Sequence, residues 1–196
     1  MKKNQPDKEK SKEKIWNVPN ALTMLRMALI PVYWALFFTG HRHEALAVFA
    51  VASLTDILDG YIARKYHLIT NFGKLMDPLA DKIMSLSVLL SLVIAGIAPW
   101  PVLLILLLKE GFMVVGGLLL FRKDIVVYSH WIGKVAQLFV VLGLLACFFW
   151  EWLTEKLGFP LHLALMWTGV GLTVCALIHY VRWGLKLYRD KKREQA

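Results

Sequence analysis

The sequence predicts an all-α, polytopic membrane protein with six transmembrane helices, and two features of the chain lead to this fold class. Of its 196 residues, 58% are hydrophobic, and the mean hydropathy is +0.54; both values exceed what a soluble domain of this size would bury. The apolar residues also form six long runs, each sufficient to cross a bilayer core of about 30 Å. These runs cover residues 21–39, 44–64, 73–96, 100–121, 131–153 and 160–183.

The six predicted spans leave no room for a separate soluble domain. Residues 15–185 are predicted to form one membrane domain, which lies between a disordered basic tail at residues 1–14 and a second basic tail at residues 186–196. The first span follows the lysine-rich tail without a small-residue cleavage site, so we expect it to be an anchor and not a removed signal peptide.

The distribution of basic residues predicts the orientation of these spans. Basic residues cluster in both tails and at 64–65 and 122–123, all on one side of the predicted membrane, whereas the opposite loops carry only Arg42 and Lys156. By the positive-inside rule the basic side is cytosolic, so both termini are expected in the cytosol, in a multi-pass protein of the cytoplasmic membrane. The net charge of +9 is therefore attributed to topology and to attraction to anionic lipids, and no nucleic-acid partner is expected.

A cluster of polar positions in the second and third predicted spans carries the strongest chemical signal. Five of them share one face of a helix, because their spacing matches a turn of about 3.6 residues. These five are Asp56, Asp59, Gly60, Ala63 and Arg64. A second stripe on the next helix consists of Gly73, Asp77 and Asp81. The polar segment between the stripes is predicted to be a turn, with Thr70 or Asn71 as the N-cap of the second helix.

The four aspartates of this cluster predict a metal site. Carboxylates aimed at one pocket repel each other unless protons or cations neutralise them, and each charged carboxylate at membrane depth costs at least about 2.5 kcal/mol. Oxygen ligands without histidine or cysteine favour a hard cation, so two Mg²⁺ or Mn²⁺ ions are expected. Paired ions of this kind stabilise a phosphoryl group under attack. The lack of bulk at Gly60 and Ala63 would let a substrate approach the helix, and Arg64 offers a fork for phosphate.

Together the eight positions form the pattern Asp-x2-Asp-Gly-x2-Ala-Arg-x8-Gly-x3-Asp-x3-Asp over residues 56–81. This pattern resembles the signature of the CDP-alcohol phosphatidyltransferases. The resemblance implies a membrane enzyme, and a homodimer, that moves a phosphatidyl or related group from a CDP-linked donor to a hydroxyl and releases CMP.

The resemblance also implies roles for the eight residues. Two metal ions would be surrounded by Asp56, Asp59, Asp77 and Asp81, with Asp81 as the general base. The CDP donor would lie against Gly60, Ala63, Arg64 and Gly73.

The first span carries Pro19-Asn20-x-Leu22-Thr23-x2-Arg26, which resembles two branches of the family: the phosphatidylglycerophosphate synthases, whose acceptor is glycerol 3-phosphate, and the cardiolipin synthases. Asn20 is expected either to cap the helix or to contact substrate. Arg26, inside the span, requires a phosphate or a pocket carboxylate as its partner.

Later spans contain basic residues that could bind an acceptor phosphate. Residues 131–134 resemble the glycerol-phosphate branch, although the Lys-Thr that usually follows Lys134 is missing, and Lys109-Glu110 departs from both branches. The acceptor candidates are Lys134, Arg26, Lys109, Arg122, Lys123 and Arg182. Arg122, Lys123 and Arg182 are equally consistent with residues at the membrane border.

The resemblance therefore predicts transfer of a phosphatidyl group from CDP-diacylglycerol to sn-glycerol 3-phosphate, giving phosphatidylglycerophosphate and CMP within a lipid membrane. We expect direct attack by the acceptor hydroxyl, deprotonated by Asp81, without an enzyme-bound intermediate. Two alternatives stay open: cardiolipin synthesis or another acceptor alcohol, and an ion-coupled transporter, since buried acidic residues also mark ion paths. Transport would spread the acidic residues over membrane depth, whereas here four cluster and only Glu110 stands apart.

Overall fold

The structure, a computed structural model, describes residues 17–66, 68, 70–121 and 131–194. Within these ranges the chain is entirely helical, as predicted. The predicted basic tail at residues 1–14 and the acceptor candidates Arg122 and Lys123 lie outside the described residues. The described helices are α1 Val18–Phe38, α2 Arg42–Lys65, α3 Asn71–Ile94, α4 Trp100–Phe121, α5 Trp131–Cys147, α6 Trp150–Leu157 and α7 Leu161–Glu194.

Several of these helices are able to cross a membrane. Three are long and apolar enough within the described residues, namely Val18–Phe38, Arg42–Lys65 and the Leu161–Leu187 part of α7. A fourth crossing is added if α5 and α6, which are bent by 94° relative to each other, count as one broken span. The helices thus support a membrane protein, while the six predicted crossings are not confirmed.

The fifth predicted span, residues 131–153, is shorter than predicted. α5 ends at Cys147, a two-residue turn follows, and α6 then runs in a different direction. α6 contains Glu151, Glu155 and Lys156, whose charges are costly in the bilayer core. Its tryptophans are of the kind that collects at the membrane–water border. The charges of α6 therefore explain why the apolar run does not continue as one straight helix.

The chain forms two compact units that divide between Met84 and Ser85, inside α3. In the first unit α1 packs against α2. Gly40, with a φ of 89°, lies in the short link between them, where the left-handed conformation favours glycine. Tyr33 and Phe49 are fully buried and form part of the core of this unit.

In the second unit α5 and α7 approach each other at two glycines. A Cβ on Gly143 would lie 3.1 Å from the backbone nitrogen of Met166, and a Cβ on Gly169 would lie 3.0 Å from that of Val140. Small residues allow such close approach between membrane helices. α7 has 34 residues, which corresponds to a length of about 51 Å at 1.5 Å per residue. Because α7 ends at Glu194, residues 186–194, which the sequence predicts to be part of a tail, continue the helix.

Candidate active site

The predicted aspartates of α2 lie on one face of its last three turns. Only 2% of the Asp59 side chain is exposed, whereas Asp56 is 40% exposed. Asp56 therefore lies nearer to the surface of the first unit, and Asp59 lies deeper. A buried carboxylate requires a cation or hydrogen-bond donors nearby, and α1 provides one of these.

Arg26 of α1 contacts both aspartates of α2. Its Nη1 lies 2.8 Å from Asp56 Oδ1, and its Nη2 donates a hydrogen bond to Asp59 Oδ2. Because the arginine side chain is only 1% exposed, these carboxylates and not water offset its charge. The predicted need of Arg26 for a partner is confirmed, and that partner is a pair of pocket carboxylates. The candidate role of Arg26 in binding the acceptor phosphate stays a prediction.

α1 also reaches the first aspartate of α3. Thr23 Oγ1 donates a hydrogen bond to Asp77 Oδ1 and lies 3.1 Å from the Pro19 carbonyl oxygen. A hydroxyl has one proton, so these two acceptors share it. The negative charges of Asp56 and Asp77 are both close enough to Asp59 to repel it. Three of the four predicted aspartates therefore form one acidic pocket.

The start of α3 is fixed by a cap that α1 also contacts. Thr70 Oγ1 accepts a hydrogen bond from the Gly73 backbone N–H at 3.0 Å and donates one to Asn20 Oδ1 at 3.1 Å. Acceptance from the third residue of a helix is the usual N-cap geometry, so the predicted cap at Thr70 is confirmed. Asn20 does not cap α1, because its own N–H is capped by Asn17 Oδ1 at 2.9 Å.

Gly73 is buried at this junction and has no room for a side chain. A Cβ there would lie 2.8 Å from Asn20 Oδ1, 3.2 Å from Thr70 Oγ1 and 3.4 Å from Asp77 Oδ2. The absence of a side chain thus allows α1 and the first turn of α3 to approach closely. The resemblance places Gly73 against the CDP donor, whereas its nearest described neighbours are protein side chains.

Gly60 lies beside the side chain of Arg64 near the end of α2. A Cβ on Gly60 would lie 3.3 Å from Arg64 Nη1 and 3.7 Å from Nη2. The arginine therefore folds back over the glycine while remaining exposed. Ala63 is half-buried on the same turn. An exposed guanidinium at this position is accessible to a phosphate group.

Asp81 lies one turn after Asp77 on α3 and is half-buried. Pro78, between them, lies inside the helix and removes one backbone hydrogen bond, because proline has no N–H. Because Gly73, Asp77 and Asp81 all lie on α3 at intervals of four residues, the stripe predicted for this helix is present. The role of Asp81 as the base stays a prediction.

The pocket contains carboxylate oxygens, which a hard metal ion prefers, but its described side chains are not arranged as a complete metal site. Within the described part of the chain, no group of three or more acidic, histidine or cysteine side chains forms a ready metal-binding cluster. The guanidinium of Arg26 contacts two of the three carboxylates, and the third accepts a hydrogen bond from the neutral hydroxyl of Thr23. Arg26 and Thr23 of α1 each bind these carboxylates through one oxygen per aspartate. Carboxylate oxygens, such as the second oxygen of each aspartate, are the type of ligand that Mg²⁺ and Mn²⁺ prefer.

The remaining acceptor candidates with described side chains belong to the second unit. Lys109 Nζ lies 2.6 Å from Glu110 Oε1, so this lysine is paired with its chain neighbour. Lys134, in the first turn of α5, and Arg182, on α7, are exposed. Their roles in acceptor binding stay predictions.

The contacts made by Asn17 and Thr23 were not predicted from the sequence. Asn17 Nδ2 donates a hydrogen bond to the Leu68 carbonyl oxygen at 3.1 Å, and Thr23 holds Asp77. The sequence does contain a signal for them, since four polar residues recur at every third position in an otherwise apolar stretch, the first as the cap of α1 and the last three within about 120° around the helix. They are Asn17, Asn20, Thr23 and Arg26.

Comparison with known proteins supports the family that the motif predicts. The sequence profile of the CDP-alcohol phosphatidyltransferase family matches residues 16–175. A Mycobacterium tuberculosis protein named "Probable phosphatidylglycerophosphate synthase" is 35% identical over 184 residues, which cover 88% of this chain and 84% of that protein. The Bacillus subtilis CDP-diacylglycerol–glycerol-3-phosphate 3-phosphatidyltransferase is 35% identical over 177 residues, or 82% of this chain and 91% of that protein.

A third relative covers only part of the chain. The Rickettsia typhi protein with the same name as the Bacillus enzyme is 49% identical over 71 residues, which cover 35% of this chain and 40% of that protein. The profile match spans the acidic pocket and most of the described helices, and the two longer alignments each cover more than four fifths of this chain. The predicted family is thereby confirmed, and this chain belongs to the CDP-alcohol phosphatidyltransferases.

Proposed function

We propose that this protein transfers a phosphatidyl group from CDP-diacylglycerol to sn-glycerol 3-phosphate and releases phosphatidylglycerophosphate and CMP. The observation that carries the proposal is the acidic pocket, in which Asp56, Asp59 and Asp77 of the family signature are brought together by α1. The Bacillus relative, whose name specifies this reaction, aligns over most of both chains and supports glycerol 3-phosphate as the acceptor.

In the proposed reaction the C1 hydroxyl of glycerol 3-phosphate attacks the phosphorus that carries the diacylglycerol. A new P–O bond forms while the P–O bond to CMP breaks, and CMP leaves with the electron pair of that bond. Asp81 accepts the proton of the attacking hydroxyl. Arg64, which is exposed near the end of α2, binds the diphosphate of the donor through its guanidinium fork.

The four signature aspartates are proposed to hold two Mg²⁺ or Mn²⁺ ions. When bound, such ions supply the positive charge that stabilises a phosphate under attack. The fit rests on the chemistry of the ligands, because the three aspartates of the acidic pocket supply carboxylate oxygens and the guanidinium of Arg26 contacts only two of them.

We further propose six membrane crossings, both termini in the cytosol, residence in the cytoplasmic membrane and a homodimer. The long apolar helices and the positive-inside distribution of Lys and Arg support the topology. Single cysteines at Lys156 and Lys186, in a variant lacking the two native cysteines, would test it. A membrane-impermeant maleimide added to intact cells should label the first position and not the second.

The reaction is tested with purified protein in lipid nanodiscs supplied with Mg²⁺, CDP-diacylglycerol and one acceptor at a time. Glycerol 3-phosphate should give CMP and phosphatidylglycerophosphate, identified by mass spectrometry. CMP and cardiolipin from phosphatidylglycerol alone would establish the cardiolipin alternative, which the missing Lys-Thr after Lys134 favours. Absence of CMP with every acceptor would refute a phosphatidyltransferase activity.

A further inference from the structure

Three buried polar residues of α1, which we call the polar stripe, contact every described part of the acidic pocket. They are Asn20, Thr23 and Arg26, each no more than 4% exposed. Asn20 accepts a hydrogen bond from Thr70, the cap of α3, and Thr23 donates one to Asp77. Arg26 forms ion pairs with the two aspartates of α2. None of the three belongs to the eight-position signature of the family.

The polar stripe is costly to maintain in a helix long and apolar enough to cross a membrane. Removing the Arg26 guanidinium and the Asp59 carboxylate from water carries a penalty that their mutual attraction often fails to recover. Arg26 Nε is buried and makes no hydrogen bond to any described residue, and Nη1 meets Asp56 as an ion pair without hydrogen-bond geometry, which adds to that cost. Apolar residues in place of the whole group, Arg26 together with the aspartates it contacts, would often stabilise a fold at least as well, so the stability of the fold alone does not explain the polar stripe.

The contacts of the polar stripe follow a consistent pattern at the level of single oxygen atoms. Arg26 binds Asp56 Oδ1 and Asp59 Oδ2, and Thr23 binds Asp77 Oδ1. Asp77 Oδ2 is directed toward the side-chain-free surface of Gly73, 3.4 Å from the position of a Cβ there. One oxygen of each carboxylate is thus held by α1, and the second oxygen has no hydrogen-bond donor among the residues that the structure describes.

We propose that the polar stripe is a positioning element for the carboxylates. By holding one oxygen each of Asp56, Asp59 and Asp77, Arg26 and Thr23 orient the remaining oxygens toward a divalent cation. Asn20 fixes the start of the helix that carries Asp77. This inference rests on the proposed metal-dependent function, and it assigns roles to residues outside the signature. Partners that orient metal ligands typically contribute about 10- to 100-fold to metal affinity.

Thr23 provides the cleanest test, because its hydroxyl can be removed without a change in shape or charge. Mn²⁺ binding is measured on purified, substrate-free protein by electron paramagnetic resonance. Thr23→Val should weaken the affinity by about tenfold or more, while Thr23→Ser, which retains the hydroxyl, should bind like the wild type. Leu25→Ala, at an exposed position of the same helix, is the control. Equal Mn²⁺ affinity in Thr23→Val and wild type would overturn the inference.

Substitutions of Arg26 distinguish a positioning role from simple charge balance, because the two roles predict opposite changes in Mn²⁺ affinity. If the arginine only neutralised the aspartates, Arg26→Gln would leave the pocket more negative and would bind Mn²⁺ more tightly. Positioning predicts weaker binding instead. Arg26→Lys should also bind weakly, because an ammonium lacks the fork that spans two carboxylates. Tighter binding in either variant would overturn the inference, and should both variants unfold, the Thr23 pair decides.

The outcomes for this inference and for the proposed reaction are separable. The Mn²⁺-dependent rise in melting temperature gives a second readout that needs no substrate, since a ligand stabilises the state that binds it. A wild-type protein that binds Mn²⁺ but releases no CMP would refute the reaction and leave the positioning role intact. A wild-type protein that binds no Mn²⁺ would overturn the positioning role, whatever the CMP assay gives.

Discussion

Asn20 Oδ1 lies 2.8 Å from the position that a side-chain carbon on Gly73 would occupy. Gly73 is part of the family signature, whereas Asn20, which lies 53 residues earlier in the chain on α1, is outside it. Real Cβ atoms essentially never approach other heavy atoms this closely, so any side chain at position 73 would force the side chain of Asn20 to move. The family resemblance implies that Gly73 lies against the CDP donor, and the structure adds a second reason for its small size.

This relationship predicts coupling between Gly73 and Asn20. Gly73→Ala should displace Asn20 from Thr70 and lower both stability and CMP release, because the added methyl group overlaps the asparagine oxygen. Asn20→Ala removes that oxygen, so the double variant should recover part of the loss that Gly73→Ala causes. Residues in contact typically show coupling free energies of about 0.5 to 3 kcal/mol, which thermal unfolding of the four proteins would measure.

Gly111→Ala is the matched control for the Gly73 series, because a Cβ there meets nothing within 4 Å. It should leave CMP release unchanged. If Gly73→Ala lost activity to the same extent with and without Asn20, steric overlap with α1 would not be the cause. The donor contact implied by the family resemblance would then be the better account.

The site was predictable from the sequence wherever it depends on local helix geometry. The two stripes on α2 and α3 follow from the spacing of their residues, and the cap at Thr70 follows from the preference of threonine for that position. The contacts of the polar stripe could not be predicted in the same way. Arg26 and Asp59 are separated by 33 residues, and Thr23 and Asp77 by 54, so these pairs depend on how the helices pack.

The boundary of the fifth predicted span shows a second limit of sequence reasoning. Hydropathy treats residues 131–153 as one apolar run, because the tryptophans of α6 count as apolar residues. The structure bends by 94° between α5 and α6. Tryptophan is equally suited to the membrane surface, and a sum over a window of residues contains no information about helix direction.

Removal of divalent metal should abolish activity. CMP release should stop in excess chelator and return with Mg²⁺ or Mn²⁺, because the carboxylates need cations to bind a charged donor. Substantial CMP release in the presence of excess chelator would contradict a metal-dependent reaction.

Asp77→Asn should abolish CMP release while the protein remains folded. The substitution removes one negative charge from a repulsive cluster, and the new amide oxygen still accepts the hydrogen bond from Thr23. Circular dichroism melting of the variant should therefore match or exceed that of the wild type. A lower melting temperature together with lost activity would point to a structural role for Asp77 and not a role in metal binding.

Asp81 and Arg64 should affect different kinetic parameters. Asp81→Asn should lower kcat with little change in donor affinity, because a base acts in the transition state. Arg64→Ala should raise KM for CDP-diacylglycerol and weaken CDP binding measured by calorimetry. Lys65→Ala, an exposed basic residue on the same turn, is the control. If CDP affinity were lost in Asp81→Asn and kept in Arg64→Ala, the two roles would be exchanged.

The close approach of α5 and α7 predicts opposite effects at two neighbouring glycines. Gly169→Ala would place a methyl group 2.9 Å from Val140 Cγ2 and 3.0 Å from its backbone nitrogen, and such overpacking costs about 1 to 3 kcal/mol. Gly171→Ala meets nothing within 4 Å and should gain up to about 1 kcal/mol of helix propensity. Thermal unfolding in detergent compares the two variants. Equal melting temperatures would contradict the proposed backbone contact.

Lys134 tests the identity of the acceptor. Lys134→Ala should raise KM for glycerol 3-phosphate about tenfold or more, because a hydrogen bond to a charged group contributes about 1.5 to 3 kcal/mol. Arg182→Ala, another exposed basic residue of the second unit, provides the comparison; its KM should change less if Arg182 lies at the membrane border. Phosphatidylglycerol carries a phosphodiester with less charge, so turnover of that acceptor should depend less on Lys134.

The wild-type protein supplies the deciding comparison for this prediction. Glycerol 3-phosphate should be the preferred acceptor by kcat/KM, and the Lys134→Ala defect should appear in KM more than in kcat, because the lysine binds a part of the acceptor that does not react. If the wild type made cardiolipin from phosphatidylglycerol and ignored glycerol 3-phosphate, the missing Lys-Thr after Lys134 would have been the better guide to the acceptor. The Asp81 and Arg64 predictions would still hold in that case, because both branches use the same donor.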